Sequence, residues 1–253
     1  MLLAIDVGNT SVTVGRFQGD RLVAVVRRPC TELAGADLTG LFGLAEVSVE
    51  SGDRVALASV NPQAAEVVLR WARAHLAVEP LVAEVNLPVR IADAVAERGR
   101  AGVDRLLNGL AAYQRARSAC LAVDAGTAIT IDAVSSGGVF LGGIIAPGLR
   151  MSARALAEGT AFLPEVDLAF PADVLGRDTV SAIQSGLLWG VTEMVAGLVQ
   201  RLTARVGGGA RIFLTGGDAP LLTGHLPTTV EVVPYLTLDG LRLAVEGYST
   251  QGG

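Results

Sequence analysis

The sequence predicts an α/β protein made of two duplicated halves. Three observations carry that prediction. The segment Leu3-Ala-Ile-Asp6-Val-Gly-Asn-Thr-Ser-Val-Thr-Val14 resembles Leu121-Ala-Val-Asp124-Ala-Gly-Thr-Ala-Ile-Thr-Ile-Asp132, and the two stand 118 residues apart in a chain of 253. Each segment is an apolar strand that ends on Asp-x-Gly-[Asn/Thr] and continues into β-branched residues that favour a second strand. After each opening, strand-like and helix-like periods alternate, as in a layered α/β fold. A repeat spacing close to half the chain marks an internal duplication, with halves at 1–118 and 119–253.

The elements follow in order. In each half a third strand comes after a short glycine turn: Leu22 to Val26 after Gly19-Asp20, and Val139 to Ile145 after Gly137-Gly138. Each half therefore opens with a three-stranded antiparallel meander. Val55 to Val60 reads as a strand, and Pro62 to Leu76 as a helix with Asn61 as its N-cap and Pro62 in its first position. Leu81-Val-Ala is a short strand, and Leu106 to Arg115 is an amphipathic segment. In the second half a helix starts near Met151, and Val174 to Val206 contains a long helical pattern before Gly207-Gly-Gly ends it. Arg211 to Thr215 is a strand that runs into Gly216-Gly217-Asp218, and Leu238 to Tyr248 is the last helix. Two βββαβα-like halves that face each other would bring both Asp-x-Gly turns to one central cleft.

Composition narrows the chemistry. All 20 basic residues are Arg, against 25 acidic ones, for a net charge of -5. An acidic chain without a basic run does not suit nucleic acid. The absence of Lys excludes a Schiff-base lysine, a lysine general base and a Walker-type phosphate lysine. Any anion must be held by Arg, backbone N–H groups or a bound cation. The chain is 51% hydrophobic, yet it has no run of about 18 consecutive apolar residues that would read as a membrane span. The N-terminus meets Asp6 early and lacks a basic n-region, so it does not read as a signal peptide. Cys30 and Cys120 form neither a disulfide framework nor a zinc motif, and read as inert packing. His75 and His225 lack partner motifs and read as solvated; Trp71 and Trp189 read as packing. A cytoplasmic protein is the expectation.

Several segments are suited to phosphate and cations. In Asp6-Val-Gly-Asn-Thr10, a strand-end carboxylate suits Mg²⁺, while Gly8, Asn9 and Thr10 bring N–H groups and short side chains to phosphate oxygens. The same pattern also fits an ordinary hairpin turn. In Asp124-Ala-Gly-Thr-Ala128, Asp124 suits a cation and Thr127 a phosphate, again with a plain turn as the alternative. Two separated carboxylates that hold cations near phosphate fit phosphoryl transfer. Gly102-Val-Asp-Arg105 offers a carboxylate as general base and a guanidinium that can clamp a carboxylate; an N-capping Asp and a solvated Arg would look the same. Thr215-Gly-Gly-Asp218 lets a flat ring or ribose approach the backbone, and Gly142-Gly-Ile-Ile-Ala-Pro-Gly148 could shape a cleft floor.

Taken in order, these motifs, together with Gly176-Arg-Asp-Thr-Val-x-Ala-Ile-Gln-Ser-Gly186, resemble type III pantothenate kinase over positions 3 to about 247. The resemblance implies duplicated ribonuclease H-like (actin-like ATPase) halves, each a mixed five-stranded sheet with helices, with ATP between them. It implies ATP-dependent phosphorylation of pantothenate to 4'-phosphopantothenate, the first step of coenzyme A synthesis, in a homodimer. By position, Asp6, Val7, Gly8, Asn9, Thr10, Ser11, Val12 and Thr13 would form the ATP phosphate loop, with Asp6 placing Mg²⁺-bound phosphates, and Thr127 would contact ATP. Asp104 would be the general base. Gly102, Val103, Asp104 and Arg105 would line the pantothenate pocket, with Arg105 on the substrate carboxylate and Thr179 reaching pantothenate from the other subunit. Asp124 would bind K⁺ or NH₄⁺. The chain departs from the family pattern in having Val103 where Ala is common, and in having no aromatic residue from Ile91 to Ala101, where many members carry a Tyr. The alternatives are another small-molecule kinase of the superfamily and a non-catalytic nucleotide-binding accessory protein.

Overall fold

A computed structural model describes residues 1–35, 37–43, 53–76 and 78–249. The chain forms two compact units: Met1–Ile91, Glu97–Ala111 and Leu236–Gly253 make the first, and Ala92–Ala96 and Ala112–Tyr235 the second. The linear division at 118/119 therefore differs from the compact units at both ends. The C-terminal helix belongs to the first unit, and a short strand ahead of residue 97 belongs to the second.

In the first unit, β1 (Leu2–Val7), β2 (Ser11–Gln18) and β3 (Arg21–Pro29) form the expected meander. Helix α1 (Leu38–Leu41) precedes β4 (Arg54–Ser59), α2 (Pro62–His75) and β5 (Leu81–Val82). The sheet order is β3-β2-β1-β4-β5, with β1 antiparallel to β2 and parallel to β4. Helix α2 begins as its sequence demands: Pro62 needs no N–H partner in the first turn, and the Asn61 side chain accepts the Ala64 N–H at 3.1 Å. It buries Ala64, Ala65, Val68, Trp71 and Ala72, a stripe at helical spacing. Trp71 Nε1 donates to Thr39 Oγ1 at 3.1 Å, so this Trp is a packing residue with its polar atom satisfied.

The second unit repeats the plan. Strands β6 (Ala92–Asp93), β7 (Cys120–Ala125), β8 (Ala128–Val134), β9 (Val139–Pro147), β10 (Arg211–Thr215) and β11 (Glu231–Val232) form a sheet in the order β11-β10-β7-β8-β9-β6. Removing β6 leaves five strands in the same order and directions as the first sheet. The expected five-stranded plan thus gains one edge strand, because Ala92–Asp93 pairs parallel with Val139 and Phe140. Helix α3 (Val103–Ala116) precedes β7; α4 (Leu149–Gly159), α5 (Thr179–Arg205), α6 (Ala219–Leu222) and α7 (Leu236–Ser249) follow in chain order.

Helix α5 starts at Thr179, inside the Val174 to Val206 segment. Asp178 and Ser181 form a reciprocal capping box there, and such a cap fixes where a helix begins. By length and composition α5 is apolar enough to cross a membrane. Its Ile183, Leu187, Leu188, Val191, Val195 and Val199, however, are buried in the core of the second unit. His225, read as solvated, is exposed but stacks on Phe170, with ring centroids 3.6 Å apart at 7°, and meets Trp189 edge-on at 5.6 Å.

Within the first unit, α7 packs on β1 and β4, and Gly240 lies against α3: a Cβ there would sit 2.2 Å from the Leu107 carbonyl oxygen. Backbone cannot yield as a side chain can. Gly240→Ala should therefore lower unfolding stability by about 1–3 kcal/mol, read as a lower urea midpoint at unchanged slope.

Candidate active site

The candidate residues divide between the two units. In the first, Asp6 is the penultimate residue of β1 and the only one of that strand's last five that is not buried. Its cross-strand neighbours are Thr13 on β2 and Ala58 on β4, which lie on its face of the sheet. Gly8 N–H donates to Ser11 O at 2.9 Å and closes the turn, leaving Asn9 and Thr10 exposed at its tip. The side chains of Val7 and Val12 are buried in the core, so their contribution to the loop is confined to the main chain. Thr13 is also buried.

The loop is tied down from behind by residues absent from the motif. Cys30 N–H donates to Thr10 O at 2.8 Å, Cys30 Sγ to Gly8 O at 3.4 Å, and Asn61 Nδ2 to Asn9 O at 3.4 Å. Arg27 Nε donates to Ser11 Oγ at 3.0 Å. Burial, with the nearby Asp6 carboxylate, pushes the Cys30 thiol up, and burial pushes the Cys120 thiol up to about 12. Both thiols are protonated at neutral pH and are poor nucleophiles. Only pairing in three dimensions brings Cys30 and Asn61 to the loop, and no local sequence signal marks them for it.

Asp104 lies in the first turn of α3. Its Oδ1 accepts the Arg105 N–H at 2.9 Å. Burial pushes its carboxyl above the usual range, against the opposing pull of that hydrogen bond and of the Arg105 charge. Gly102 makes room for it: a Cβ at 102 would lie 2.5 Å from Asp104 Oδ1. The Gly-x-Asp spacing thus has a steric reason that the sequence did not disclose.

In the second unit, Asp124 occupies the position on β7 that Asp6 occupies on β1, with the same burial pattern along the strand. Its cross-strand neighbours are Thr130 and Thr215, both buried. Thr127 O accepts the Gly148 N–H at 3.1 Å, and Asp218 N–H donates to Ala125 O at 2.8 Å. The structure therefore brings together Asp124, Thr127, Gly148 and the Thr215-Gly-Gly-Asp218 turn. Gly216 has φ +96°, and a Cβ there would lie 2.4 Å from both Ala125 O and Asp124 Oδ1. Only glycine fits against the carboxylate at that position.

Two further acidic residues, given no role of their own in the sequence analysis, lie in the same unit. Asp218 is buried and ion-pairs with the exposed Arg150 at 3.4 Å. Asp132 is fully buried on β8, and a Cβ at Gly143 would lie 2.4 Å from its Oδ1. An Asp inside a β-branched run was the sequence signal for Asp132. Thr179 is the first residue of α5 and is exposed.

Comparison with known proteins identifies the family. The family model for type III pantothenate kinase matches residues 2–201. The type III pantothenate kinase of Dehalococcoides mccartyi is 38% identical over 248 residues, covering 96% of each chain. That of Moorella thermoacetica is 37% identical over 256 residues, covering 97% of this chain and 99% of its own. The chain belongs to the type III pantothenate kinase family.

The family's fold also reaches more distant proteins. A conserved Baf family protein from Campylobacter jejuni matches with a TM-score of 0.58 at 18% identity over 98% of each chain. The activator of 2-hydroxyisocaproyl-CoA dehydratase from Clostridium difficile, solved with bound ADPNP, matches with a TM-score of 0.51 at 12% identity, over 100% of this chain and 98% of that one. These two matches speak to the actin-like ATPase fold alone.

The raised carboxyl of Asp104 gives a stability prediction for this family member. Burial disfavours its ionised form in the folded state, so the cost is absent below the unfolded pKa and complete above the folded one. Asp104→Asn keeps an oxygen for the Arg105 N–H and removes that cost. Thermal melts should show the variant at or above the wild-type Tm at neutral pH. The difference should vanish as pH falls through the carboxylate range.

Proposed function

We propose that this protein transfers the γ-phosphoryl group of ATP to the primary hydroxyl of pantothenate, in the cytoplasm, as the first step of coenzyme A synthesis. The observation that carries this reading is Asp104, a carboxylate made more basic by burial, held by the Arg105 N–H and given space by Gly102. A base poised above the ordinary carboxylate range is matched to taking a proton from a hydroxyl.

In the reaction, the pantothenate hydroxyl oxygen bonds to the γ-phosphorus as the bond from that phosphorus to the β,γ-bridging oxygen breaks. The hydroxyl proton passes to Asp104 and ADP leaves. Gly102, Val103 and Arg105 form the substrate pocket, with Arg105 on the pantothenate carboxylate. Asp6 to Thr13 take the phosphates, and Thr127 contacts ATP. Phosphoryl transfer requires mainly positioning and charge stabilisation, which backbone N–H groups and cations supply in a Lys-free chain.

The donor set fits cations that keep other ligands. Among the described residues, no group of three or more His, Cys, Asp or Glu side chains gathers as a metal site. Asp6 alone suits Mg²⁺ that also takes phosphate oxygens and water, and Asp124 alone suits K⁺ or NH₄⁺. When bound, these ions supply positive charge beside the phosphates. A homodimer is supported by exposed apolar side chains on the second unit, among them Leu141, Ile145, Phe162, Val174 and Leu175. Thr179 follows the last two in sequence, which suits a residue that reaches the partner's pantothenate.

An ADP-release assay tests the reading: turnover should require pantothenate and Mg²⁺ and rise with K⁺ or NH₄⁺. Phosphorylation of a sugar or acetate in place of pantothenate would overturn it. Asp104→Asn should lower kcat by roughly 10²–10⁴-fold. In the wild type, kcat/KM should fall with decreasing pH along a limb that lies above the ordinary carboxylate range, because a raised pKa loses its base form sooner on acidification. That limb should be missing from the variant's residual activity.

A further inference from the structure

Asn61 joins the start of α2 to the phosphate loop. Its Oδ1 accepts the Ala64 N–H at 3.1 Å, and its backbone carbonyl accepts the Ala65 N–H at 2.9 Å. Its own N–H donates to Ser59 Oγ at 2.9 Å, and that hydroxyl donates to Asn61 O at 3.0 Å. The residue is therefore held from both sides of the chain. Because Oδ1 is committed to the helix, the amide cannot flip without loss of the cap. Nδ2 must then point the other way, where it donates to Asn9 O at 3.4 Å.

That bond has a consequence for the loop. In a trans peptide the carbonyl of one residue and the N–H of the next point in opposite directions. No cis peptide bond occurs among the described residues. Drawing Asn9 O toward Asn61 turns the Thr10 N–H to the opposite side. The Cys30 thiol orients the preceding peptide in the same manner through Gly8 O, but S–H is a weak donor. Loop N–H groups that serve a phosphate must be aimed before it arrives, since a donor that has to rotate into place is worth less.

We propose that Asn61 is a positioning residue of the phosphate loop: its α2 cap sets the tilt of the Asn9–Thr10 peptide and aims that N–H at the nucleotide phosphates. This rests on the phosphate role proposed for the loop. It is independent of which hydroxyl receives the phosphoryl group.

Two variants separate this role from helix capping. Asn61→Ser keeps a capping oxygen but is too short to reach Asn9. Asn61→Asp keeps the cap and puts an acceptor in place of the donor. Loss of one neutral hydrogen bond should raise KM for ATP roughly fivefold to tenfold in Asn61→Ser. The rise should be larger in Asn61→Asp, with KM for pantothenate and Tm unchanged in both variants. A wild-type KM for ATP in both variants overturns the proposal. So does a rise in both KM values together with a lower Tm, which marks a merely structural role. Calorimetric titration with Mg²⁺ and ADP gives a second readout, in which Kd should rise by the same factor. If the wild type binds ADP but phosphorylates no pantothenate, the proposed reaction fails and the Kd ratio still decides the role of Asn61. A wild type that binds no ADP overturns both.

Discussion

The candidate site depends on one arrangement used twice: a central strand paired on both sides and buried along its length, with a carboxylate one residue before its end. In β1 and β7 every residue but the Asp is buried. Antiparallel pairing on one edge and parallel pairing on the other leave such a strand no freedom to slip, because a one-residue shift would drive its apolar side chains onto the wrong face. The carboxylate inherits that rigidity. Its immediate surroundings are then set by what the neighbouring strands place opposite it, Thr13 and Ala58 for Asp6, Thr130 and Thr215 for Asp124.

Around these fixed points the protein makes room with glycine and adds direction with hydrogen bonds. Gly216 and Gly102 stand where any side chain would collide with Asp124 or Asp104. The turn after β1 is held by Cys30 and Asn61 through three successive carbonyls, those of Gly8, Asn9 and Thr10. Two of those bonds come from side chains, and the strongest by distance comes from a backbone N–H. Asp104 reaches its basicity differently, through burial only partly offset by the Arg105 N–H and charge. A carboxyl buried in this way destabilises the fold slightly at neutral pH, because its ionised form is the disfavoured one.

Much of this was legible in the chain. The repeat of strand, Asp-x-Gly and strand announced the duplicated meanders, and both were found. The strand at Arg211–Thr215 and the helix from Pro62 were legible because their punctuation is local: a glycine turn after one, Asn61-Pro62 before the other. The start of α5 was less legible, since Val174 and Leu175 continue its apolar pattern although the capping box comes after them. The edge strand β6 is two residues long, too short for any period to mark. Asp132 and Asp218 were in plain view as residues, but burial is a property of the packed sheet and not of the local string.

The sequence by itself determined the duplication, the absence of any lysine chemistry, the family and the set of strand-end carboxylates. Those are matters of residue identity and spacing, which short-range periodicity and repetition make visible. Only the tertiary structure decided that α7 joins the first unit, that Cys30 and Asn61 restrain the turn after β1, and that Gly102 and Gly216 leave room for carboxylates. Each of these links residues distant in sequence, or depends on an approach of 2.4 or 2.5 Å that only glycine leaves open. Neither propensity nor spacing along the chain contains that information.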